Sequence, residues 1–493
     1  MTHTPADLAT FCKKKGFIYP SSEIYGGLAG FYDYGHLGTL LKHHFENVWR
    51  DYFLGLDRHF FEIDTAQIMH ESVFKASGHL ENFSDPSVDC SRCEFRERAD
   101  HFVQQATRQR TEGFSPQELT SLIEKHHLAC PKCKSKLKPV TAVNMMFPLQ
   151  LGVGTAQRAF LRPETAQSPY VNFKLQYELQ RKKLPLGLAL IGKAFRNEIS
   201  PRNLTLRLRE ITQAELQIFF NPSTISKHPL FSSVKNYKLR VLLEEDRKKN
   251  QPGERTAAEL VKKGLPEFYV YHLVVIQKFY LDTLNIPPAK FRLYQLDDQE
   301  KAFYNKYHFD IEVELANHGF TEMGGLHYRT DHDLGGHQKI SKQSMEVLEE
   351  ATGERFIPHV LELSFGVDRT VYALLDLAYD DDKKRGNIVL HLPSSFTPFF
   401  CAVFPLVKNK EEVVTKAEEV DALLRRHHLK PLYDEVASIG RRYARADEIG
   451  VKYCITIDFD SLTDNAVTVR DRDTTEQKRV AIEKLAGYLE KLR

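Results

Sequence analysis

The chain has 493 residues, 42% of them hydrophobic and 11% aromatic, so it can bury a large core divided into roughly two to four domains. Its 68 Lys and Arg residues nearly balance its 66 Asp and Glu residues, and the net charge of +2 excludes a global positive field for RNA binding. No apolar signal core opens the sequence, no apolar run reaches the length of a membrane span, and the seven cysteines do not suggest a disulfide framework. These features predict a cytoplasmic protein without a membrane partner.

The first strongly periodic segment is HLGTLLKHHFENVWRDYFLG, residues 36–55, in which apolar residues recur at helical spacing. The spacing predicts a long helix with one buried face. Burial in the core of the same chain is the plain interpretation.

Residues from about 72 to 142 are rich in His, Cys and charge, and they are predicted to form an inserted subdomain. Within them, Cys90-x2-Cys93 and Cys130-x2-Cys133 form two knuckles typical of a tetrahedral zinc site with four thiolates. The gap of 36 residues exceeds the usual gap of about 15–20, and a predicted helix over 115–127 fills it. The interpretations left open are structural zinc and reduced thiols without metal. A catalytic zinc is not expected, because four thiolates leave no open position.

Residues 195–220, FRNEISPRNLTLRLREITQAELQIFF, contain two β-rich runs joined by a polar loop. They combine cations suited to phosphate oxygens with carboxylates suited to amino groups or a metal. The cations are Arg196, Arg202, Arg207 and Arg209, and the carboxylates are Glu198, Glu210 and Glu215. Strand alternation predicts that Arg207, Arg209 and Ile211 share one face, with Gln213 and Glu215 beyond them. The segment is a candidate nucleotide clamp, and the alternative is a surface hairpin with ordinary salt bridges.

Four further segments complete the organisation. Residues from about 221 to 310 are predicted to form a helical insertion of mixed charge, and residues 361–375 a strand, a turn at Gly366 and a helix. YDDDKKRGN, residues 379–387, is interpreted as a charged linker. After it, strands and helices alternate, beginning with the predicted strand NIVLHL, which indicates a small α/β domain with a local basic patch at RRYAR, residues 441–445.

Arg196 with Glu198, and Gly366 with Arg369, resemble motifs 2 and 3 of class II aminoacyl-tRNA synthetases. Five blocks occur in the order typical of one branch of that class, from about residue 8 to the C-terminus. They are GFIYPSSEIYGGLAGFYDYG (16–35), LRPETAQ (161–167), FRNEISPR (195–202), ELSFG (362–366) and VTVRDRD (467–473). Together they resemble glycyl-tRNA synthetases of the homodimeric, single-chain type.

The resemblance implies an α/β (α+β) fold. Residues 1–386 would form the antiparallel-sheet catalytic domain with its helical and zinc-ribbon-like insertions, and residues 387–493 the anticodon-binding domain. It implies a homodimer with the 36–55 helix at its interface, and no editing domain. The implied partners are ATP, glycine and tRNA(Gly), and the implied reaction forms glycyl-adenylate and transfers glycine to the 3′ end of the tRNA.

For the nucleotide, the resemblance implies Arg196, Arg369 and Glu198 as catalytic residues. Glu322 matches a position before motif 3 where a carboxylate can hold Mg²⁺. The implied ATP site comprises Arg196, Asn197, Glu198, Leu206, Arg207, Leu208, Arg209, Glu210, Ile211, Glu322, Met323, Gly366, Val367, Asp368 and Arg369. Ile211 departs from the pattern, because the class usually has a Phe there that stacks on adenine.

Glycine must be selected by anchoring its ammonium group and leaving no volume at its α-carbon. The resemblance implies that Glu164, Glu215 and Glu362 surround the substrate with Ser364, and that Arg329 meets its carboxylate. Arg98 would reach in from the cysteine-bearing insertion. The implied substrate site comprises Arg98, Glu164, Ile211, Thr212, Gln213, Ala214, Glu215, Arg329, Glu362, Leu363, Ser364, Phe365 and Gly366.

Two other functions are alternatives. A catalytically inactive synthetase-like subunit with a nucleic-acid-binding or regulatory role is disfavoured, because Arg196 and Arg369 are both present. A sister synthetase for threonine, proline or histidine is disfavoured by the acidic ELS segment.

Overall fold

The computed structural model describes residues 3–111, 113–153, 157–201, 204–249, 252–302, 304–349 and 352–492. The helices are α1 (Pro5–Lys15), α2 (His36–Leu54), α3 (Glu71–Ala76), α4 (His79–Asn82), α5 (Ala99–Thr107), α6 (Pro116–Lys125), α7 (Gln167–Leu179), α8 (Phe231–Val234), α9 (Ala257–Lys262), α10 (Glu267–Lys278), α11 (His332–Ser341), α12 (Val367–Ala378), α13 (Glu411–Arg426), α14 (Ile439–Glu448), α15 (Ser461–Asp464) and α16 (Ile482–Glu490). In the described ranges, no helix is both long enough and apolar enough to cross a lipid bilayer.

The strands of the first part of the chain are β1 (Ile18–Pro20), β2 (Tyr32–Tyr34), β3 (Phe60–Glu62), β4 (Ile68–His70), β5 (Ser84–Asp89), β6 (Arg96–Arg98), β7 (Thr141–Asn144), β8 (Phe147–Leu151), β9 (Gln157–Leu161), β10 (Leu186–Phe195), β11 (Glu210–Phe220), β12 (Lys238–Leu242) and β13 (Gly253–Thr256). Those that follow are β14 (Phe291–Gln295), β15 (Tyr307–Leu315), β16 (Gly319–Thr330), β17 (Val347–Leu348), β18 (Arg355–Phe356), β19 (His359–Gly366), β20 (Tyr379–Asp382), β21 (Asn387–Leu390), β22 (Cys401–Pro405), β23 (Leu432–Tyr433), β24 (Tyr453–Ile457), β25 (Ala466–Asp471) and β26 (Gln477–Ala481).

A nine-stranded sheet in the order β13-β12-β14-β15-β16-β19-β11-β10-β3 forms the centre of the molecule. Its five-strand middle, from β15 to β10, is antiparallel throughout. Helix α2 packs behind it with Phe45, Trp49 and Phe53 fully buried, and the Phe53 ring lies 4.7 Å from that of Phe365 on β19. The helix predicted over 36–55 is therefore present, and its apolar face is covered by the core of this chain.

The cysteine-bearing segment is a small separate layer. Strands β6, β5 and β7 form a three-stranded sheet, and α5 and α6 cover it with their own buried cluster around Val88, Val103 and Leu119. Helix α6 lies between the two knuckles, where a helix over 115–127 was predicted. A capping box between Ser115 and Glu118 fixes its start.

The prediction of a helical insertion over 221–310 is incomplete. Helices α8 to α10 are present, but β12, β13 and β14 extend the central sheet instead of standing apart from it. The runs KLRVL and FRLYQ have the apolar alternation of half-buried strands, and burial of Leu239, Val241 and Leu293 outweighs the helical character of the flanking sequence.

The predicted linker over 379–387 is a β-hairpin, in which β20 pairs with β21. Arg385 at its turn donates to the carboxylate of Asp447 at 3.2 Å and to the carbonyl of Arg472 at 2.8 Å, so contacts cross this region. The segment NIVLHL belongs to this hairpin and not to the C-terminal sheet. The main core continues to Phe396, and a second core begins at Phe400.

The C-terminal sheet has the order β23-β22-β24-β25-β26, with a parallel half and an antiparallel half. Its first strand, β22 (CAVFP), was not among the predicted strands. Helices α13 and α16 pack on one face and α14 on the other, as expected for a small α/β domain.

Candidate active site

A cavity of about 220 Å³ opens between the β10–β11 hairpin, strands β16 and β19, and the start of α12. Its two ends differ in charge, with arginines at one end and buried carboxylates at the other. The residues predicted for ATP that line it are Arg196, Glu198, Leu206, Arg207, Leu208, Ile211, Glu322, Met323, Gly366, Asp368 and Arg369. Those predicted for the small substrate that line it are Glu164, Ile211, Thr212, Gln213, Glu215, Glu362, Ser364 and Gly366.

Backbone carbonyls and single carboxylates hold the three arginines of the cationic end. Arg196 donates from Nε to the Pro163 carbonyl at 2.9 Å, and its guanidinium lies over the Phe83 ring. Arg369 donates to the Leu206 carbonyl and pairs with Glu322 at 3.0 Å, and Arg207 pairs with Glu198 at 2.7 Å. Each guanidinium therefore has a fixed direction. Arg369 stays 33% exposed, which leaves it accessible to an anionic ligand.

Asp368 fastens the start of α12 to the β10–β11 hairpin. Its carboxylate accepts hydrogen bonds from the hydroxyl of Tyr34 at 2.6 Å and from the backbone amide of Thr212, and its carbonyl accepts from Thr205. Because Asp368 directly precedes Arg369, these bonds fix the position from which the Arg369 side chain enters the cavity.

The acidic end is built from two rows across three strands. Glu215 on β11 lies opposite Ser364 on β19, which lies opposite Gly325 on β16. In the next row on the same face, Gln217, Glu362 and His327 are neighbours. Glu215 and Glu362 are 2% and 4% exposed, so both carboxyl groups stand where the cavity floor meets the core.

Arg329 is the counter-charge of the acidic end. It is 1% exposed, and its guanidinium contacts Asp333 at 2.8 Å, Glu362 at 3.1 Å and Glu164 at 3.4 Å. The expectation that Arg329 meets a substrate carboxylate is not supported, because its donors are directed at protein carboxylates and it does not line the cavity. Its position in the sequence does not reveal the three acidic neighbours that the fold supplies.

The carboxyl groups differ in their protonation. Burial opposes ionisation of Glu164, but His79 and Arg329 hold its pKa well below the usual range. Burial and the neighbouring Glu362 and Glu164 raise the pKa of Glu215 to about 8. A bound ammonium group would supply the positive charge that Glu215 lacks, so Glu215 would release a proton when a cation binds.

Four thiols converge in the cysteine-bearing layer. The Sγ atoms of Cys90, Cys93, Cys130 and Cys133 all lie within 4.8 Å of one another, with Cys90 and Cys133 at 3.4 Å and Cys93 and Cys130 at 3.6 Å. The edge of a tetrahedron with zinc–sulfur bonds of about 2.3 Å is about 3.8 Å, so the donor set fits such an ion.

Comparisons with known proteins agree with this arrangement. A family model described as "Anticodon binding domain" matches residues 401–492. The chain is 39% identical to the glycine–tRNA ligase of Pyrococcus horikoshii over 98% of each chain, and 35% identical to that of Methanococcus maripaludis strain C5 over 97% of each. This chain belongs to the glycine–tRNA ligase family. A solved prolyl-tRNA synthetase from Cryptosporidium parvum, in complex with L-proline and AMP, shares the fold with a TM-score of 0.60 at 13% identity, over 99% of this chain and 75% of that one.

Several residues that the resemblance to glycyl-tRNA synthetases implied for the site do not line the cavity. Arg209 is turned away, because its guanidinium donates to the carbonyls of Glu198 and Ala29, and β11 begins only after it. Glu210 pairs with Lys193 outside the cavity. Asn197, Val367, Ala214, Leu363 and Phe365 also lie outside the lining, and the last four are buried in the core on the opposite face of their elements. Arg202 lies outside the described residues.

Arg98 does not line the cavity, and it is linked to the cationic end through one residue. It pairs with Asp85 at 3.1 Å, and Asp85 in turn lies 3.8 Å from Arg207. The cysteine-bearing layer thus contacts the cationic end through Asp85. Arg98 contacts Asp85 and is not part of the cavity wall.

Four residues that line the cavity are not predicted from the sequence: Thr205, Tyr304, Gly324 and His327. Gly324 is required by close packing, because a Cβ there would lie 2.0 Å from the Ser364 carbonyl. His327 could have been found from the strand period, since it lies two residues before Arg329. Tyr304 carries no local signal, because it lies in a loop.

Proposed function

We propose that this cavity activates glycine with ATP and transfers the glycyl group to the 3′ end of tRNA(Gly). The observation that carries the proposal is the pairing, in one cavity, of three fixed arginines with a set of buried glutamates. Membership of the glycine–tRNA ligase family supports the choice of amino acid. The alternative of an inactive synthetase-like subunit has no support, because Arg196 and Arg369 both line the cavity.

In the first step, a carboxylate oxygen of glycine attacks the α-phosphorus of ATP, and the bond to the bridging oxygen of pyrophosphate breaks. Negative charge accumulates on the phosphate oxygens, so the step needs preorganised cations more than a proton-transfer group. We assign this role to Arg196, Arg207 and Arg369. Glu322, half-exposed in the wall and paired with Arg369, offers carboxylate oxygens of the kind Mg²⁺ prefers, and bound Mg²⁺ would neutralise phosphate charge there.

We assign the glycine ammonium to the acidic end. Glu215 and Glu362 would accept its hydrogen bonds, with Glu164 beside them and Ser364 on the floor. Arg329 holds Glu164, Asp333 and Glu362 in place, and the ammonium group would add a second positive charge beside them. Ile211 would contact the adenine with an aliphatic surface.

The test of the proposal is amino-acid-dependent exchange of pyrophosphate with ATP, measured across the twenty amino acids. We expect exchange with glycine alone. Exchange that is equally fast with alanine, or no exchange with any amino acid, would contradict the assignment of glycine activation to this cavity.

For the cysteine-bearing layer, we propose a structural zinc ion held by Cys90, Cys93, Cys130 and Cys133. Elemental analysis should give about one zinc per chain, and Cys90→Ser should remove it with loss of local order, because structural zinc contributes folding free energy. Ser91→Ala in the same knuckle is the control. Metal-free protein with an unchanged melting temperature would refute the proposal.

For the C-terminal domain, we propose anticodon recognition by residues 401–492. Arg442 in the RRYAR patch is not available to RNA, because it is 1% exposed and donates to the carbonyls of Pro405 and Leu406. Arg441 is exposed. Arg441→Ala should raise the KM for tRNA and leave the KM for ATP unchanged, whereas Arg442→Ala should lower stability. Equal effects of both changes on the tRNA KM alone would contradict this division.

We also propose a homodimer, with its contact in the loop before α2 instead of on α2 itself. Ile24, Tyr25 and Leu28 in that loop are 88%, 86% and 54% exposed, an apolar group that an isolated chain would leave in water. Ile24→Ser with Tyr25→Ser should shift sedimentation from dimer to monomer. A dimer that persists in that variant would place the interface elsewhere.

A further inference from the structure

We propose that Tyr304 is the residue that excludes amino acids larger than glycine from the acidic end of the cavity. This inference rests on the proposed function and adds to it the residue that sets substrate size. Tyr304 lies in the connection between β14 and β15, which is the only loop after β14 that reaches the cavity in the described part of the chain.

Among the residues that line the acidic end, Tyr304 is the one that limits the size of the substrate side chain. The polar side chains of this lining are Glu164, Thr212, Gln213, Glu215, His327, Glu362 and Ser364, and the row that continues from Ser364 ends in Gly325, which has no side chain. Tyr304 is the largest side chain in this lining. A ligand whose ammonium group is held by the carboxylates must therefore fit its α-carbon substituent against this ring.

Arg329 gives the ring a fixed plane. Its guanidinium lies 4.1 Å from the centre of the Tyr304 ring and 5.3 Å from that of Tyr170, so both rings are within cation–π distance of the same buried cation. The next residue, Asn305, is 5% exposed and contacts His327 at 3.2 Å, which holds the backbone of Tyr304 close to β16. A wall that cannot retreat is what rejection of a single methyl group requires.

The base of the same loop is clamped from two sides. Asp297 contacts Arg247 at 2.8 Å and Arg110 at 3.0 Å, and Glu300 contacts Arg110 at 3.0 Å. Arg110 follows α5 in the cysteine-bearing layer. That layer therefore supports the loop that carries Tyr304, in addition to its contact with the cationic end through Asp85.

The experiment compares alanine with glycine as substrates for pyrophosphate exchange. In Tyr304→Ala and Tyr304→Leu, the ratio of kcat/KM for alanine to that for glycine should rise at least about tenfold, because the wall is removed. Tyr304→Phe, which keeps the ring over Arg329, should stay within about twofold of the unchanged protein. Calorimetry should detect alanine binding only in the two enlarged variants.

The clamp is tested by a smaller change. Arg110→Gln should raise the same ratio by about two- to threefold, and Arg108→Gln, an exposed arginine next to α5, should leave it unchanged. If Tyr304 only supports Arg329, both enlarged variants will raise the KM for glycine without changing the ratio, and the inference is wrong. Failure of the unchanged protein to use glycine at all would instead count against the proposed function.

Discussion

The two ends of the cavity are built in different ways. At the cationic end, Arg196, Arg207 and Arg369 remain partly solvated, and each is directed by a carbonyl or by one or two carboxylates. At the acidic end, Glu164, Glu362 and Asp333 share one arginine that is 1% exposed. Water screens charges that are partly exposed, so one local partner is enough for each of them. Buried charges must be balanced as a group, because removal of one leaves the others without compensation. The acidic end therefore contributes more to stability, and the cationic end more to the rate.

The largest difference should appear when one arginine is neutralised at each end. Arg329→Met should lower the free energy of unfolding by about 3–5 kcal/mol, because it leaves buried carboxylates uncompensated. Arg207→Met should lower it by roughly 1 kcal/mol or less, since the Arg207–Glu198 pair keeps access to solvent. Urea unfolding of the two variants measures both values, and equal losses would remove the distinction between the ends.

The rate of glycine activation should depend more on the cationic end than on the acidic end. Arg196→Ala or Arg369→Ala should lower kcat/KM for glycine-dependent pyrophosphate exchange by about 100-fold or more, because each removes a permanent cation from an anionic transition state. Arg96→Ala, which removes an exposed arginine paired with Asp89, is the matched control for charge. Near-normal exchange in both cavity variants would refute the assigned role of the cationic end.

The protonation of Glu215 gives the acidic end a pH dependence. With its pKa raised from 4.5 to about 8 in the empty site, Glu215 must lose a proton to bind an ammonium group. Glycine affinity should therefore rise by up to about tenfold per pH unit from pH 6 to 8 and level off above it. Calorimetry in buffers of different ionisation enthalpy should detect the released proton.

The raised pKa of Glu215 also affects the stability of the folded protein, which should fall with rising pH whereas glycine affinity rises. A carboxyl group whose pKa is raised on folding destabilises the folded state progressively as the pH rises from about 4.5 to about 8. Glu215→Gln should remove that loss and unfold at a higher temperature at pH 8, while it binds glycine more weakly. Lower stability of Glu215→Gln at pH 8 would show that the carboxyl is not protonated in the empty site.

The smallest expected effect lies where the cysteine-bearing layer meets the cationic end. Asp85→Asn should raise the KM for ATP by about two- to fivefold, because Asp85 helps to orient Arg207, and should leave the KM for glycine unchanged. Asp89→Asn on the same strand, which contacts Arg96 and lies away from the cavity, is the control. A change in the glycine KM alone would show that the layer acts through Arg110 and not through Asp85.

Sequence alone determined the features that depend on neighbours in the chain. The helix over 36–55 follows from apolar spacing, and its observed form, α2, ends within one residue of that range. The β10–β11 hairpin carries Arg196, Glu198 and Arg207 in one short stretch, and the two cysteine knuckles converge as their spacing indicates. The resemblance of five blocks to glycyl-tRNA synthetases predicted the family, which the relatives confirm.

Tertiary structure alone decided what depends on strand register and on burial. The rows that join Glu215 to Ser364 and Gln217 to Glu362 bring together residues about 145–150 positions apart, and only the pairing of β11 with β19 creates them. Arg329 and Arg442 have the same chemistry as exposed arginines. Because they are buried, Arg329 balances the charge of carboxylates and Arg442 donates hydrogen bonds to backbone carbonyls. Tyr304 enters the site from a loop. The chemical identity of a side chain determines which hydrogen bonds and ion pairs it can make. The packing of distant elements determines which of these it makes in the folded protein.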